Sequence, residues 1–246
     1  MKDSQSNKWF PLANKEYALC QQKFMEMLHG RKLSRYLDIG CHDGSFTLKC
    51  AAAFAAEKVC GIEINSKIAD IARSKGVEVT VTDASYRFPY PDSSFDVITA
   101  NQVLEHVPDV DNLLHECYRV LDDEGIILVS SPNLCSLFQR LLILSGSQPT
   151  TLHVSKIQVG NFLRGTETKN EHIHAFAATA LIDLLKYHGF DEIKLKGSGF
   201  YPLPPPFSGW ISAVFPRLAI YSIVMAQKTP GKNRSRVAKE HHRGLA

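Results

Sequence analysis

The chain has 246 residues, 44% of them hydrophobic and 22% charged, a composition that excludes a disordered or collagen-like chain and requires a core. Its length suits one elaborated α/β domain and is short for two. The net charge of +3 is uneven: six Lys or Arg against Glu240 alone fall in 228–246, leaving 22 basic and 24 acidic residues over 1–227, and a slightly acidic body argues against a nucleic-acid partner.

In chain order, helical spacing of Tyr17, Cys20, Phe24, Met27 and Leu28 predicts a helix over 15–29, capped by Asn14 and stopped by Gly30. A strand at 35–39 then leads through a glycine-bearing turn to a helix at 45–56. A strand at 58–64 precedes a helix at 66–75, capped by Ser66 and closed by Gly76. Strands follow at 77–82 and 95–100, a helix at 109–121 and a strand at 125–130. A helical stretch ending at Leu144 and a polar segment at 145–171 come next. The helix at 177–188 is stopped by Gly189, and strands are predicted at 192–196 and 218–227. The four prolines within 201–206 exclude regular structure there. Strands alternating with helices at this spacing predict a doubly wound α/β fold: a mostly parallel seven-strand sheet, last strand antiparallel, helices on both faces. The expected division is an N-terminal helical extension (1–34), one domain (35–227) with lid-like insertions at 145–171 and 200–215, and a basic tail (228–246) that is solvated.

The turn after the first strand reads Gly40-Cys41-His42-Asp43-Gly44. In open α/β sheets ligands lie at the carboxyl ends of strands where the strand order reverses, and glycines let a ligand approach the backbone. Glu63 ends the second strand about 20 residues on, placed to accept both hydrogen bonds of a ribose diol. A dinucleotide turn needs Gly-x-Gly-x-x-Gly over a pyrophosphate. Here Gly40 and Gly44 stand alone, and Asp38 repels a phosphate. Asp83, followed by Ala84, ends the third strand, and Asn101 and Gln102 follow the fourth. Any one of these carboxylates could be a helix cap. Three at successive strand ends suit a ligand with an amino group, ribose hydroxyls and an exocyclic amine, the polar inventory of S-adenosylmethionine.

With these stretches together, the chain resembles the seven-strand S-adenosylmethionine-dependent methyltransferases, especially the small-molecule group that includes ubiquinone and menaquinone biosynthesis enzymes. The resemblance is carried by Leu37-Asp38-Ile39-Gly40-Cys41-His42-Asp43-Gly44, Gly61-Ile62-Glu63-Ile64, Val81-Thr82-Asp83-Ala84, Pro91-Asp92-Ser93-Ser94-Phe95-Asp96-Val97-Ile98 and Leu104-Glu105-His106-Val107. It implies S-adenosylmethionine as cofactor and methyl transfer to a small or lipid-like acceptor. It also implies a cofactor site of Asp38, Gly40, Cys41, Gly44, Glu63, Ile64, Asp83, Ala84, Asn101 and Gln102. Gly40 and Gly44 would lie under the methionine part, Glu63 at the ribose, Asp83 and Ala84 at the adenine, and Asn101 and Gln102 along the methionine side. His42 stands where the family has its middle glycine, and fits if its φ is negative.

His106, after the fourth strand, is the candidate catalytic base for a hydroxyl acceptor. His172 and His174 face one way on an extended chain, but no third ligand accompanies them in sequence, so no metal is predicted. The six cysteines, without a Cys-x-x-Cys pair, are expected to be buried and reduced. A polar N-terminus predicts a cytoplasmic protein. Apolar runs at 134–144 and 211–226 are interrupted by charge and fall short of the ~20 residues of a spanning helix, which leaves peripheral membrane contact. The apolar residues of 200–215, including Phe200, Tyr201, Phe207, Trp210 and Phe215, predict either a roof over an apolar acceptor or a homodimer interface. Two further readings stay open: a macromolecule methyltransferase, against which Asn101-Gln102-Val103-Leu104 lacks the Pro-Pro-aromatic sequence of nucleic-acid amino-methylating enzymes, and a protein that binds the cofactor without transfer.

Overall fold

The computed structural model describes residues 10–167 and 172–230. Glu171 and the tail past position 230 lie outside the described residues. The first half contains α1 (Phe10–Leu28), β1 (Arg35–Ile39), α2 (Ser45–Phe54), β2 (Lys58–Glu63), α3 (Ser66–Ser74), β3 (Glu78–Val81) and β4 (Phe95–Asn101). The second contains α4 (Val110–Val120), β5 (Leu121–Pro132), α5 (Leu137–Leu144), α6 (Ala178–Tyr187), β6 (Phe190–Ser198), α7 (Pro205–Val214) and β7 (Tyr221–Lys228). The strands form one seven-stranded sheet in the order β3-β2-β1-β4-β5-β7-β6. Strand β7 is antiparallel to both neighbours, and the other pairings are parallel. This is the expected doubly wound sheet, and its order reverses between β1 and β4.

The two faces follow from the period-2 alternation of strand side chains. Leu37, Ile39, Ile98, Ala100, Ile127, Val129, Val224 and Ala226 face one way and pack with Leu113, Leu114 and Cys117 of α4 and Leu181 and Leu185 of α6. Tyr36, Val97, Ile126, Leu128, Ile223 and Met225 face the other way. They meet Cys20, Phe24, Met27 and Leu28 of α1 and Cys50, Ala51 and Phe54 of α2. Helix α1 is therefore one wall of the core rather than an extension attached to it.

Several boundaries differ from the sequence reading. Helix α1 begins at Phe10, so Asn14 lies inside it instead of capping it. Helix α3 is capped by Asn65, whose side chain accepts from the backbone N–H groups of Lys67 and Ile68, and Ser66 is its first helical residue. Strand β5 starts at Leu121, paired with Phe95 across a register irregularity, because the polar residues before Gly125 lie at a half-exposed strand start. The proline-rich segment is not wholly irregular: α7 opens on it, with proline in its first turn, where the missing N–H costs no helical hydrogen bond. Residues Pro216–Leu218 form a 3-10 turn, and the last strand starts at Tyr221. Among the described residues no helix is long and apolar enough to cross a membrane. All six cysteines are free, five of them buried.

Candidate active site

The parallel register brings the ends of β3, β2, β1 and β4 into one row: Ile39 pairs with Ile62 and with Ala100, and Glu63 pairs with Val81. At about 4.8 Å between neighbouring strands, the row from β3 to β4 spans roughly 14 Å. An extended ligand laid across the strand ends meets residues from all four.

At the centre of the row, the backbone N–H groups of Gly40 and Cys41 both donate to the Ile62 carbonyl, at 2.8 and 3.1 Å, which ties the β1 turn to β2. Gly40 has φ +69, and a Cβ there would come within 2.6 Å of Val103 Cγ2, so both the left-handed backbone and the close approach of Val103 exclude a side chain at this position. Gly44, at φ +75, is the N-cap of α2 and supplies no side chain to that helix terminus. His42 has φ +48. The expectation of a negative φ is corrected: the turn keeps the left-handed geometry that a glycine would adopt, and the mostly exposed His42 ring points away from the packed interior. Cys41 is buried against Gly61, where a Cβ would lie 2.5 Å from its Sγ. Burial foremost, then the charges of Asp38 and Glu63, push this thiol up to about 12.

Glu63 is 8% exposed, its Oε2 accepting from the His42 N–H at 3.0 Å and its Oε1 from the Asn65 N–H at 2.9 Å. The carboxylate is thus held across the mouth of the turn, with one acceptor direction left on each oxygen. The next residue, Ile64, is 67% exposed and offers a bare apolar surface beside it. Asp38 is placed differently. It lies beneath the turn, with its two oxygens accepting the hydroxyls of Thr47 and, at 2.6 Å, Thr99, whose own hydroxyl is 2.7 Å from that of Tyr36. Burial outweighs those hydrogen bonds and raises its pKa to about 6.

At the two ends of the row, Asp83 Oδ1 accepts from the Ser85 N–H at 2.8 Å next to the buried Ala84. Asn101 Oδ1 accepts from the Ser130 hydroxyl at 2.6 Å, which in turn accepts from Gln102 Nε2 at 3.0 Å. Asn101 Nδ2 also reaches the Tyr17 hydroxyl at 3.4 Å, so α1 borders the site. Tyr17, Thr47 and Thr99 are not legible in the sequence as site residues, because each acts through a neighbour that only the fold brings to it.

Past Gln102 the chain makes a 3-10 turn, Leu104–His106. The segment 172–176 lies against this turn: the backbone N–H groups of Ile173 and His174 both donate to the Glu105 carbonyl, and the Leu134 N–H donates to Phe176. The His172 and His106 rings are consequently 5.0 Å apart, and the His153 ring stacks on His172 at 4.6 Å. His172 Nδ1 lies 3.3 Å from the Thr151 carbonyl, and its N–H donates to His153 Nδ1. Burial foremost, with the neighbouring His153 ring, lowers the His172 pKa to about 4. Glu105 is 1% exposed, its carboxylate oxygens make no well-formed hydrogen bond, and burial, outweighing the weakly placed Glu105 N–H and Ser131 hydroxyl, pushes its pKa up to about 7. His174 turns elsewhere, its Nε2 3.4 Å from the Pro108 carbonyl and its ring near Phe176. The partners that His172 lacks in sequence are thus Glu105 and His106. The first was visible only as part of a motif, and the approach of 172–176 was not visible at all.

A family model for a methyltransferase domain matches residues 12–195 of the chain. The chain belongs to that methyltransferase-domain family, and its seven-strand sheet has the fold of solved S-adenosylmethionine-dependent methyltransferases. Its relatives include the demethylmenaquinone methyltransferase of Lactobacillus johnsonii, 31% identical over 139 residues that cover 53% of this chain and 51% of that one. The ubiquinone biosynthesis O-methyltransferase of Actinobacillus pleuropneumoniae is 30% identical over 131 residues, covering 49% and 53% of the two chains. Both matches span about half the length of these relatives. An S-adenosylmethionine-dependent methyltransferase from Thermotoga maritima superposes with a TM-score of 0.58 at 20% identity over 90% of this chain and 93% of that one, a likeness of fold.

Proposed function

We propose that the protein transfers a methyl group from S-adenosylmethionine to a hydroxyl of a small, apolar, ring-bearing acceptor. The observation that carries this reading is the placement, at the strand ends on either side of β1, of a clamped carboxylate, Glu63 of β2, and of a cluster of imidazoles and a buried carboxylate after β4. When bound, the cofactor supplies a methyl group on a cationic sulfur, already activated as a leaving group. The remaining work for the chain is to bind, orient and exclude water.

The residues present suit that cofactor. Glu63 retains acceptor directions for a ribose diol, Ile64 and Ala84 offer apolar surface to a base, and Asp83 retains an oxygen for an amine. The left-handed backbone at Gly40, packed close to Val103, carries the chain from β1 into α2, whose Ser45 N–H is already taken by Asp43 Oδ1 at 3.1 Å. Asp38, buried beneath, supports the turn through Thr47, so its part is to hold the loop's shape.

For the acceptor, His106 places an imidazole just past the end of β4, next to the cofactor row, as the candidate proton acceptor. His172, with its pKa held down by burial, remains neutral and positions rather than takes a proton. The O-methyltransferase name of the Actinobacillus pleuropneumoniae relative favours a hydroxyl on a quinone-type ring. The test is turnover: with S-adenosylmethionine and a panel of catechols and alkylated hydroquinones, S-adenosylhomocysteine should form only when an acceptor is present. Cofactor binding with no turnover across that panel, and with turnover on RNA or protein instead, would contradict the small-molecule reading.

A further inference from the structure

We propose that Glu105, His106 and His172 form a binding site for one divalent transition-metal ion, of the zinc type, whose open coordination position takes the acceptor's hydroxyl oxygen. One ligand atom from each of the three residues lies within 4.8 Å of the others. A tetrahedral ion with bonds of about 2.1 Å holds its ligand atoms about 3.4 Å apart, so modest side-chain rotation closes the set. The donor set, two imidazole nitrogens and one carboxylate oxygen, is the three-ligand pattern that leaves a fourth position open to a reacting oxygen. Imidazole donors favour zinc, iron or cobalt over magnesium, which prefers oxygen.

Two independent features point to a ligand here. The first is Glu105: its carboxylate is 99% removed from solvent and makes no well-formed hydrogen bond, the Ser131 hydroxyl and its own N–H being weakly placed donors nearby, an arrangement that is unfavourable for an anion unless the group is neutralised or meets a cation. The second is the support around His172. With Nδ1 set 3.3 Å from the Thr151 carbonyl and the ring stacked on His153, its orientation and tautomer are fixed so that Nε2 carries the lone pair. Metal-ligating histidines are oriented by their other nitrogen in the same way.

The metal-binding claim stands by itself, and the role of the open position rests on the hydroxyl acceptor proposed above. There the ion would polarise the bound hydroxyl and lower its pKa, and the proton would leave to solvent before the oxygen takes the methyl group. The lone pair of His106 would then hold the ion instead of receiving the proton.

The test uses the full chain, stripped with a chelator and dialysed against micromolar Zn2+, with bound metal measured per chain and S-adenosylhomocysteine affinity measured on the same samples. The expected result is one ion per chain, at least tenfold weaker binding in Glu105→Gln and His172→Ala, and no change in His174→Ala. Loading the parent with Co2+ should give the visible spectrum of a nitrogen and oxygen site without thiolate bands, a readout that needs no variant to fold. A parent that retains no ion, a thiolate spectrum, or binding undiminished in both ligand variants would overturn the site. S-adenosylhomocysteine binding in those same samples would leave the methyltransferase reading standing.

Discussion

Thr47 and Thr99 occupy both oxygens of Asp38, yet burial still raises its pKa from an ordinary 3.8 to about 6. The folded chain therefore holds this proton more tightly than the unfolded chain does. The contribution of Asp38 to stability is complete below about pH 4 and is lost as pH rises towards 6, by on the order of 3 kcal/mol. Denaturant titrations of the parent and Asp38→Asn should diverge between those values, the parent losing stability relative to the variant as pH rises. Parallel curves would show that Asp38 is not raised. In the sequence this residue is legible as a strand-end carboxylate, but its hydroxyl partners are not. They stand 9 and 61 residues away, and only the fold brings them together. His42 shows the converse: a non-glycine residue gives no local signal of a positive φ, and its left-handed backbone is imposed by the turn.

Helix α7 presents Phe207, Trp210 and Val214 to solvent, with Phe215 next in the chain and also exposed. Residues at i, i+3 and i+7 share one helix face, and here that face is apolar and turned outward. Because Phe207 and Trp210 are 64% and 68% exposed, Phe207→Ala with Trp210→Ala should leave the melting temperature and S-adenosylhomocysteine affinity nearly unchanged. Transfer to an apolar acceptor, or binding to phosphatidylcholine vesicles, should fall. If the double variant instead changes only from dimer to monomer in sedimentation and keeps its activity, the face is a subunit interface. The proline-rich stretch was legible as a break, since proline cannot continue a helix. Its other property, that proline is well placed in a helix's first turn, made it the start of α7. Strand β5 was likewise read too short, because its first residues are polar and signal a turn, while their pairing with β4 depends on a bulge that no local pattern reveals.

For the molecule as a whole, the sheet was legible because β1, β4, β5 and β7 are covered on both faces, which leaves runs of apolar residues separated by glycines and caps. The cofactor row was legible for the same reason, since residues at strand ends need only the strand boundaries to be placed. The histidine cluster was not, because it depends on 172–176 folding back onto the turn after β4 through backbone hydrogen bonds that carry no side-chain signature. The account's central claim is that Glu63, clamped by His42 and Asn65, binds the ribose of S-adenosylmethionine. Titration calorimetry of S-adenosylhomocysteine into the parent, Glu63→Gln and Glu63→Ala tests it, with NAD as the competing ligand. Losing two charge-assisted hydrogen bonds in Glu63→Ala should cost about 2 to 4 kcal/mol, a fall in affinity of roughly 30- to 1000-fold, with Glu63→Gln between the two. Equal affinity of parent and Glu63→Ala, or tighter binding of NAD by the parent, would contradict the account.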